Sequence, residues 1–192
     1  MDTSTKRSRS SREPAHRDSI ATETTSERSL STNAETIASF YQAFQERNHV
    51  AMAACYHEDV HFSDPVFSNL RGDEARAMWH MLCDRGTDLR VTFENVTAEG
   101  DRGTAHWEAR YMFSPTMRLV HNSVEASFGF QDGKILRHVD EFDLWRWTRM
   151  ALGTTGMLTG WSSPAQRKVR KTAAHGLQRF MAEHPEYGSD GG

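Results

Sequence analysis

The sequence predicts an α+β domain in which the helices come first and an antiparallel sheet follows. Two observations carry this. Between residues 32 and 85 apolar side chains recur at helical spacing, and from Leu89 onward the period changes to two, strand after strand. Helices followed by a run of hairpin-linked strands collect on one face of a curved sheet.

Order begins at Thr32, which Glu35 follows at capping-box spacing. Ile37, Phe40, Tyr41 and Phe44 then fall at i, i+3, i+4 and i+7, giving one apolar stripe. The polar break Glu46-Arg47-Asn48 separates this helix from a short second one carrying Met52, Ala53, Cys55 and Tyr56. A strand over 60–63 stops at Asp64-Pro65-Val66, because Pro65 lacks an N–H and forces the residue before it into extended geometry. A third helix over 73–85 places Ala75, Met78, Trp79 and Leu82 on one face.

In the sheet half, Val91, Phe93 and Asn95 alternate with Thr92, Glu94 and Val96, and residues 100–103 make a hairpin. The next strand groups Ala105, Trp107, Ala109, Tyr111 and Phe113, and Pro115 closes it. A long strand over 118–130 places Val120, Asn122, Val124, Ala126, Phe128 and Phe130 together, opposite His121, Ser123, Glu125 and Ser127. Residues 131–134 turn into a last strand over 135–147, with Leu136, His138, Asp140, Phe142 and Leu144 on its inner face. Beyond it, Gly153, Gly156 and Gly160, with Met157, Leu158 and Trp161 between and after them, read as a loop folding back as a flap or packing under the sheet. Pro164 opens a final helix whose stripe is Val169, Ala173, Leu177, Phe180 and Met181. Its basic residues, Arg167, Lys168, Arg170, Lys171 and Arg179, read as a solvated face.

The chain divides into a Ser/Thr/Arg-rich segment over 1–32 that reads as disordered, a domain over 33–150, a C-terminal loop and helix over 151–187, and a frayed tail over 188–192. The 192 residues suit one core. A net charge of −3 and a pI near 6.4 give no reason to expect nucleic acid or an anionic membrane as partner. Cys55 and Cys83 lack CxxC spacing and read as reduced thiols. With no apolar leader or membrane-length stretch, the expected location is cytoplasmic.

Asp64 is the first candidate for chemistry. Burial beside Val60, Phe62 and Val66 raises a carboxylate's pKa and makes it a proton acceptor, while Asp before Pro also starts turns for purely local reasons; both readings stand. His138 and Asp140 share the inner face of their strand, either as a functional pair or as a structural network with Asn122 and Trp107. His57-x-x-x-His61 has the helical spacing of zinc ligands, but the predicted strand breaks that geometry, and no metal is expected. Glu108, Arg110, His121 and Glu125 face away from the core and suit an outer sheet surface that pairs two subunits. The absence of a Gly-rich phosphate loop and a nucleophile elbow argues against nucleotide cofactors and serine-hydrolase chemistry, and no cofactor is expected.

The helix Phe40-Tyr41-Gln42-Ala43-Phe44, the segment Tyr56-His57-Glu58-Asp59, Asp64-Pro65-Val66 before Arg71-Gly72, and Asp132-Gly133-Lys134-Ile135 before His138-x-Asp140 together resemble the nuclear transport factor 2-like superfamily. That superfamily includes ketosteroid isomerases and SnoaL-like polyketide cyclases. The resemblance covers residues 33–150. It implies a cone of three N-terminal helices on a strongly curved, mostly antiparallel sheet around an apolar pocket, and a homodimer through the outer sheet face. The ketosteroid isomerase pattern puts Asp64 where a base moves a proton beside a carbonyl. However, it puts Phe40 where the oxyanion Tyr would lie and Ala126 where a neutral acid would lie. The SnoaL-like pattern gives Asp140 the acid/base role in a His-x-Asp setting, with His138 orienting it. Implied pocket residues are Phe40, Tyr41, Trp79, Trp107, Tyr111, Asn122 and Phe142. The implied function is an acid/base enzyme of isomerase, cyclase or hydratase type on a small hydrophobic carbonyl compound, or a non-catalytic ligand-binding or dimerisation module. Which of Asp64 and Asp140 is the acid/base stays open.

Overall fold

Besides Met1, the computed structural model describes the backbone of residues 18–188 and, from residue 32 onward, their side chains apart from that of residue 159. The expectation of disorder over 1–32 falls, for residues 2–17, outside the described part, as does the frayed tail for residues 189–192. Helix α1 (Asp18–Gln45) reaches back beyond the expected start at Thr32. No Pro or Gly interrupts residues 18–45, and the Thr36 hydroxyl donates to the Thr32 carbonyl at 2.9 Å, as in a helix interior. Helix α2 (His49–Cys55) is capped by the Asn48 side chain, which accepts from the Ala51 N–H. Strand β1 (Tyr56–Ser63) starts earlier than expected, directly at the end of α2. Strand β2 (Leu70–Arg71) is a short edge, and α3 (Asp73–Arg85) follows it.

The sheet is completed by β3 (Arg90–Glu99), β4 (Arg102–Phe113), β5 (Arg118–Gln131) and β6 (Lys134–Glu141). Its order is β2-β1-β6-β5-β4-β3, antiparallel except that β1 runs parallel to β6. The early strand is therefore second from the edge. The inner sets of β4 and β5 are those read from alternation. Two bulges shift faces. Asn95 adopts φ 55° where the β3–β4 register slips, so Asn95 is exposed and Val96 turns to the core. A slip between Gly129 and Phe130 places Ile135, rather than Leu136, fully inside.

Helix α1 lays Ile37, Phe40, Tyr41 and Phe44 against the sheet, all at most 2% exposed. Gly103 permits this approach: a Cβ there would come within 2.6 Å of Ile37 Cδ1 and 2.9 Å of the Thr97 carbonyl. Helix α3 is buried on more than one side. Ala77, Met81 and Cys83 join Ala75, Met78 and Trp79 in the core, while Leu82 is exposed. Cys83 packs its thiol 3.7 Å from Met52 Sδ, and burial pushes that thiol up to about 12; both cysteines are free.

The expected strand over 135–147 ends at Glu141. Asp143 accepts from the Arg146 N–H and starts helix α4 (Leu144–Leu152). The glycines expected to form a loop instead allow two helices to cross closely. Gly153, at φ 62°, joins α4 to α5 (Thr154–Thr159), and a Cβ on Gly156 or Gly160 would overlap Thr148. Helix α6 (Ser163–Glu183), capped by Ser162, docks Leu177 and Phe180 in the core, and a 3-10 turn (Pro185–Tyr187) follows. No described helix is long and apolar enough to cross a membrane.

Candidate functional site

The interior of the cone holds a chain of polar groups inside an aromatic cage. β6 presents His138 and Asp140, 0% and 3% exposed, two residues apart on the inner face. His138 Nε2 lies 2.9 Å from Asp140 Oδ1, and its Nδ1 lies 2.8 Å from the Tyr56 hydroxyl. Trp79 donates its indole N–H to that hydroxyl at 2.6 Å, and Trp107 donates to Asp140 Oδ1 at 3.3 Å. One proton assignment gives each of these hydrogen bonds a donor and an acceptor. Tyr56, already accepting from Trp79, donates to Nδ1, and the imidazole donates from Nε2 to a carboxylate that Trp107 also reaches. Phe128, Phe62 and Phe40 surround the imidazole at centroid distances of 4.4, 5.2 and 5.4 Å, and Trp79 stacks on it at 5.8 Å.

Asn122, expected in this network, is half-buried and makes no side-chain hydrogen bond among the described residues. Tyr56 is the member that sequence reasoning missed. It caps the C-terminus of α2, where neither the helical nor the strand period marks its face; the one cue was a hydroxyl in an otherwise apolar run. Burial, then the Asp140 charge, hold its phenol well above the ordinary range. Phe40 lies against His138 and Ala126 sits directly across the sheet from Asp140, so neither position carries a polar group.

Asp64 stands at the end of β1. Its Oδ1 accepts from the N–H groups of Val66 at 2.6 Å and Phe67 at 2.5 Å, and its own N–H donates to the Phe67 carbonyl. This is an Asx turn forced by Pro65. Burial is the largest influence on the carboxyl and pushes it up to about 7; the two backbone N–H groups act against this, the Asp140 charge adds to it, and Arg170 opposes it weakly. Among the described residues no hydrogen bond engages Oδ2. Tyr111, whose hydroxyl accepts from the Trp147 indole at 2.8 Å, is held above its ordinary range by burial, and it also feels the Asp64 charge. Tyr41 is fully buried, and its hydroxyl is the one buried side-chain polar atom without a partner among the described residues. Burial and then Asp140 raise it well above the ordinary range.

Two C-terminal contacts reach this end of the cone. Trp147 of α4 bonds Tyr111, and Arg170 of α6 donates to the Pro65 carbonyl at 2.8 Å. Phe142 is half-buried against the core at the end of the last strand. A cleft of about 540 Å³ lies elsewhere, lined by Arg118, Arg146, Arg149, Met150 and Met157 among others. His57 and His61 both lie on β1, where extended chain rises about 3.3 Å per residue and so denies them the one-turn helical spacing of paired ligands. Glu108 and Glu125 pair with His121 at 2.9 Å and His106 at 2.7 Å on the outer sheet face.

Solved structures share this architecture. An LEH-like epoxide hydrolase from M. tuberculosis aligns over 69% of this chain and 98% of its own, at 19% identity and a TM-score of 0.56. A protein assigned as a SnoaL-like polyketide cyclase from Jannaschia sp. CCS1 aligns over 65% and 94%, at 17% identity and 0.58. One assigned as a polyketide cyclase from Xanthomonas campestris pv. campestris aligns over 64% and 98%, at 22% identity and 0.54. At these identities the likeness is one of fold. No curated protein sequence matches significantly. The sequence pattern of the SnoaL-like domain matches residues 37–138, from the inner stripe of α1 to the imidazole of β6, and the chain belongs to that family.

Proposed function

We propose that the protein is an acid/base enzyme of the isomerase, cyclase or hydratase type, acting on a small hydrophobic molecule with a carbonyl, and that Asp64 carries the proton. One observation supports this above the others: Asp64 is a half-buried carboxyl raised to about 7, beside an interior that also holds Asp140 and an unpartnered Tyr41 hydroxyl. A carboxyl titrating near neutrality both takes and returns a proton. Asp140 is the second candidate, more deeply buried and bonded through Oδ1 to His138 and Trp107. It supplies a fixed negative charge that His138 orients, and Tyr41 is the donor for charge developing on a substrate oxygen. Phe40, Trp79, Trp107, Tyr111, Asn122 and Phe142 supply the apolar surroundings and polar edge of the site. Substrate enters by displacing the α4 and α6 contacts at Tyr111 and Pro65.

The test begins with native mass spectrometry to identify the ligand carried by the protein from its own source, followed by turnover assays on that compound class. Asp64→Asn keeps the fold, still binds and loses roughly 10²-fold or more in turnover. Full turnover by the folded variant removes Asp64 from the chemistry. The second reading is a non-catalytic binding module, favoured by the two backbone N–H groups that occupy Asp64 Oδ1; ligand bound without turnover supports it. In either reading the outer face of β4 and β5 pairs two subunits in the cytoplasm, and reversing Glu108 shifts sedimentation from dimer to monomer.

A further inference from the structure

Outside this interior, three potential ligand side chains meet where the C-terminal extension joins the domain. His80 and Asp84 lie one turn apart on α3, with Nε2 and Oδ2 separated by 3.5 Å. His184 caps α6, and the ligand atoms of all three lie within 4.8 Å of one another. Each ring is held from behind. His184 Nδ1 is 2.8 Å from the Phe180 carbonyl, which only accepts, so Nδ1 carries the proton and Nε2 is left with its lone pair. His80 Nδ1 is 3.0 Å from the Tyr187 hydroxyl. The His49 ring stacks on His80 at 3.5 Å and 8°, and Phe180 stacks on His184 at 3.9 Å, which fixes both ring planes. An imidazole whose second nitrogen bonds a carbonyl or hydroxyl is the arrangement that orients histidine toward a metal.

We propose that His80, Asp84 and His184 form a three-ligand site for a divalent cation of the zinc class, which fastens α6 and the turn after it to α3. Two imidazoles and a carboxylate suit Zn²⁺, with water in the fourth position. Ligand atoms on one tetrahedral ion with bonds near 2.1 Å stand roughly 3.4 Å apart; the His80–Asp84 pair is already at that spacing, and the cluster as a whole, within 4.8 Å, contracts on binding. Asp84, with its side chain 52% exposed, and the half-buried His184 have room to move. Glu186 adds negative charge at His80 while the His49 ring acts in the opposite sense, and the Tyr187 hydroxyl behind His80 feels Asp73 and Glu186 opposed by Arg76. The site joins α3, inside the matched SnoaL-like segment, to residue 184 beyond it. Nothing in the local sequence pairs His80-x-x-x-Asp84 with a histidine so far downstream.

The experiment is calorimetric titration of ZnCl₂ into the full chain after stripping with a chelator, together with thermal melts. One equivalent binds, and the melting midpoint rises, since an ion bound only by the folded state stabilises it by mass action. His184→Ala and Asp84→Asn, both at accessible positions, remove a direct ligand and weaken binding by at least the roughly 10- to 100-fold that loss of an outer-shell partner costs, and abolish the rise, while His175→Ala on the exposed face of α6 does neither. Co²⁺ gives the visible spectrum of a four-coordinate ion in the parent and loses it in both variants. Absence of saturable one-to-one binding, or parental affinity in Asp84→Asn and His184→Ala, overturns the proposal.

Discussion

Asp140 and Asp64 are the same residue type in the same fold, yet the surroundings give them different properties. Asp140 is 3% exposed and built into a chain in which Trp79, Tyr56, His138 and Trp107 each have a partner. Asp64 is less buried, its two donors are backbone N–H groups of a turn, and burial raises it to about 7. Each carboxyl receives two donors on one oxygen, so the number of hydrogen bonds does not separate them. The difference lies in what the donors belong to: side chains of the packed core hold Asp140, whereas the backbone of a turn holds Asp64. Losing a core partner disturbs several buried groups at once, while the turn leaves the Asp64 proton a local matter of burial against two N–H groups.

The largest expected effect falls on the closed network. His138→Ala leaves a buried carboxylate and the Tyr56 hydroxyl short of a partner inside an aromatic cage, and costs about 3–5 kcal/mol in urea denaturation. A loss under about 1 kcal/mol erases the distinction between the two acids.

The second prediction concerns pH. The folded state holds the Asp64 proton up to about 7, whereas an unfolded Asp releases it near 3.9. Between those values the native state binds more protons, so this group makes stability fall as pH rises from about 4 to about 7, with no contribution to the slope outside that window. Asp64→Asn removes that slope, as seen in denaturation midpoints across the window. If the ionised form is the base, turnover climbs about tenfold per pH unit below 7 and levels above it; a flat profile separates Asp64 from the chemistry.

Smaller effects test the cover over the mouth. Trp147→Phe leaves the Tyr111 hydroxyl without its donor, and Arg170→Ala frees the Pro65 carbonyl; each costs about 1 kcal/mol. Both shift KM more than kcat if the extension gates entry, whereas equal effects on both constants point to a purely structural brace. The smallest effect belongs to Tyr41→Phe. Its hydroxyl has no protein partner, so stability stays within about 0.5 kcal/mol of the parent or rises slightly, while turnover drops if Tyr41 stabilises developing charge. A large loss of stability would mean that a bound water completes the network.

The sequence by itself determined the helices over 32–85, the strands from β3 to β5 and the last helix, and for most of them which face turns inward; it did not determine α4 and α5, which stand where a strand end and a loop were expected. The i, i+3, i+4, i+7 stripe of α1 and the alternation of β4 and β5 are local patterns, and burying apolar surface leaves them few alternatives. It also placed Asp64 at a chain stop and His138 beside Asp140, since Pro65 and strand alternation act over two residues. Only the tertiary structure decided that Tyr56 and Trp79 complete the His138 network, that bulges at Asn95 and Gly129 exchange faces, and that α4 and α6 reach Tyr111 and Pro65. These contacts join residues far apart in the chain, and no periodicity encodes them. They are fixed by how the packed elements align and by the need of each buried polar group for a partner.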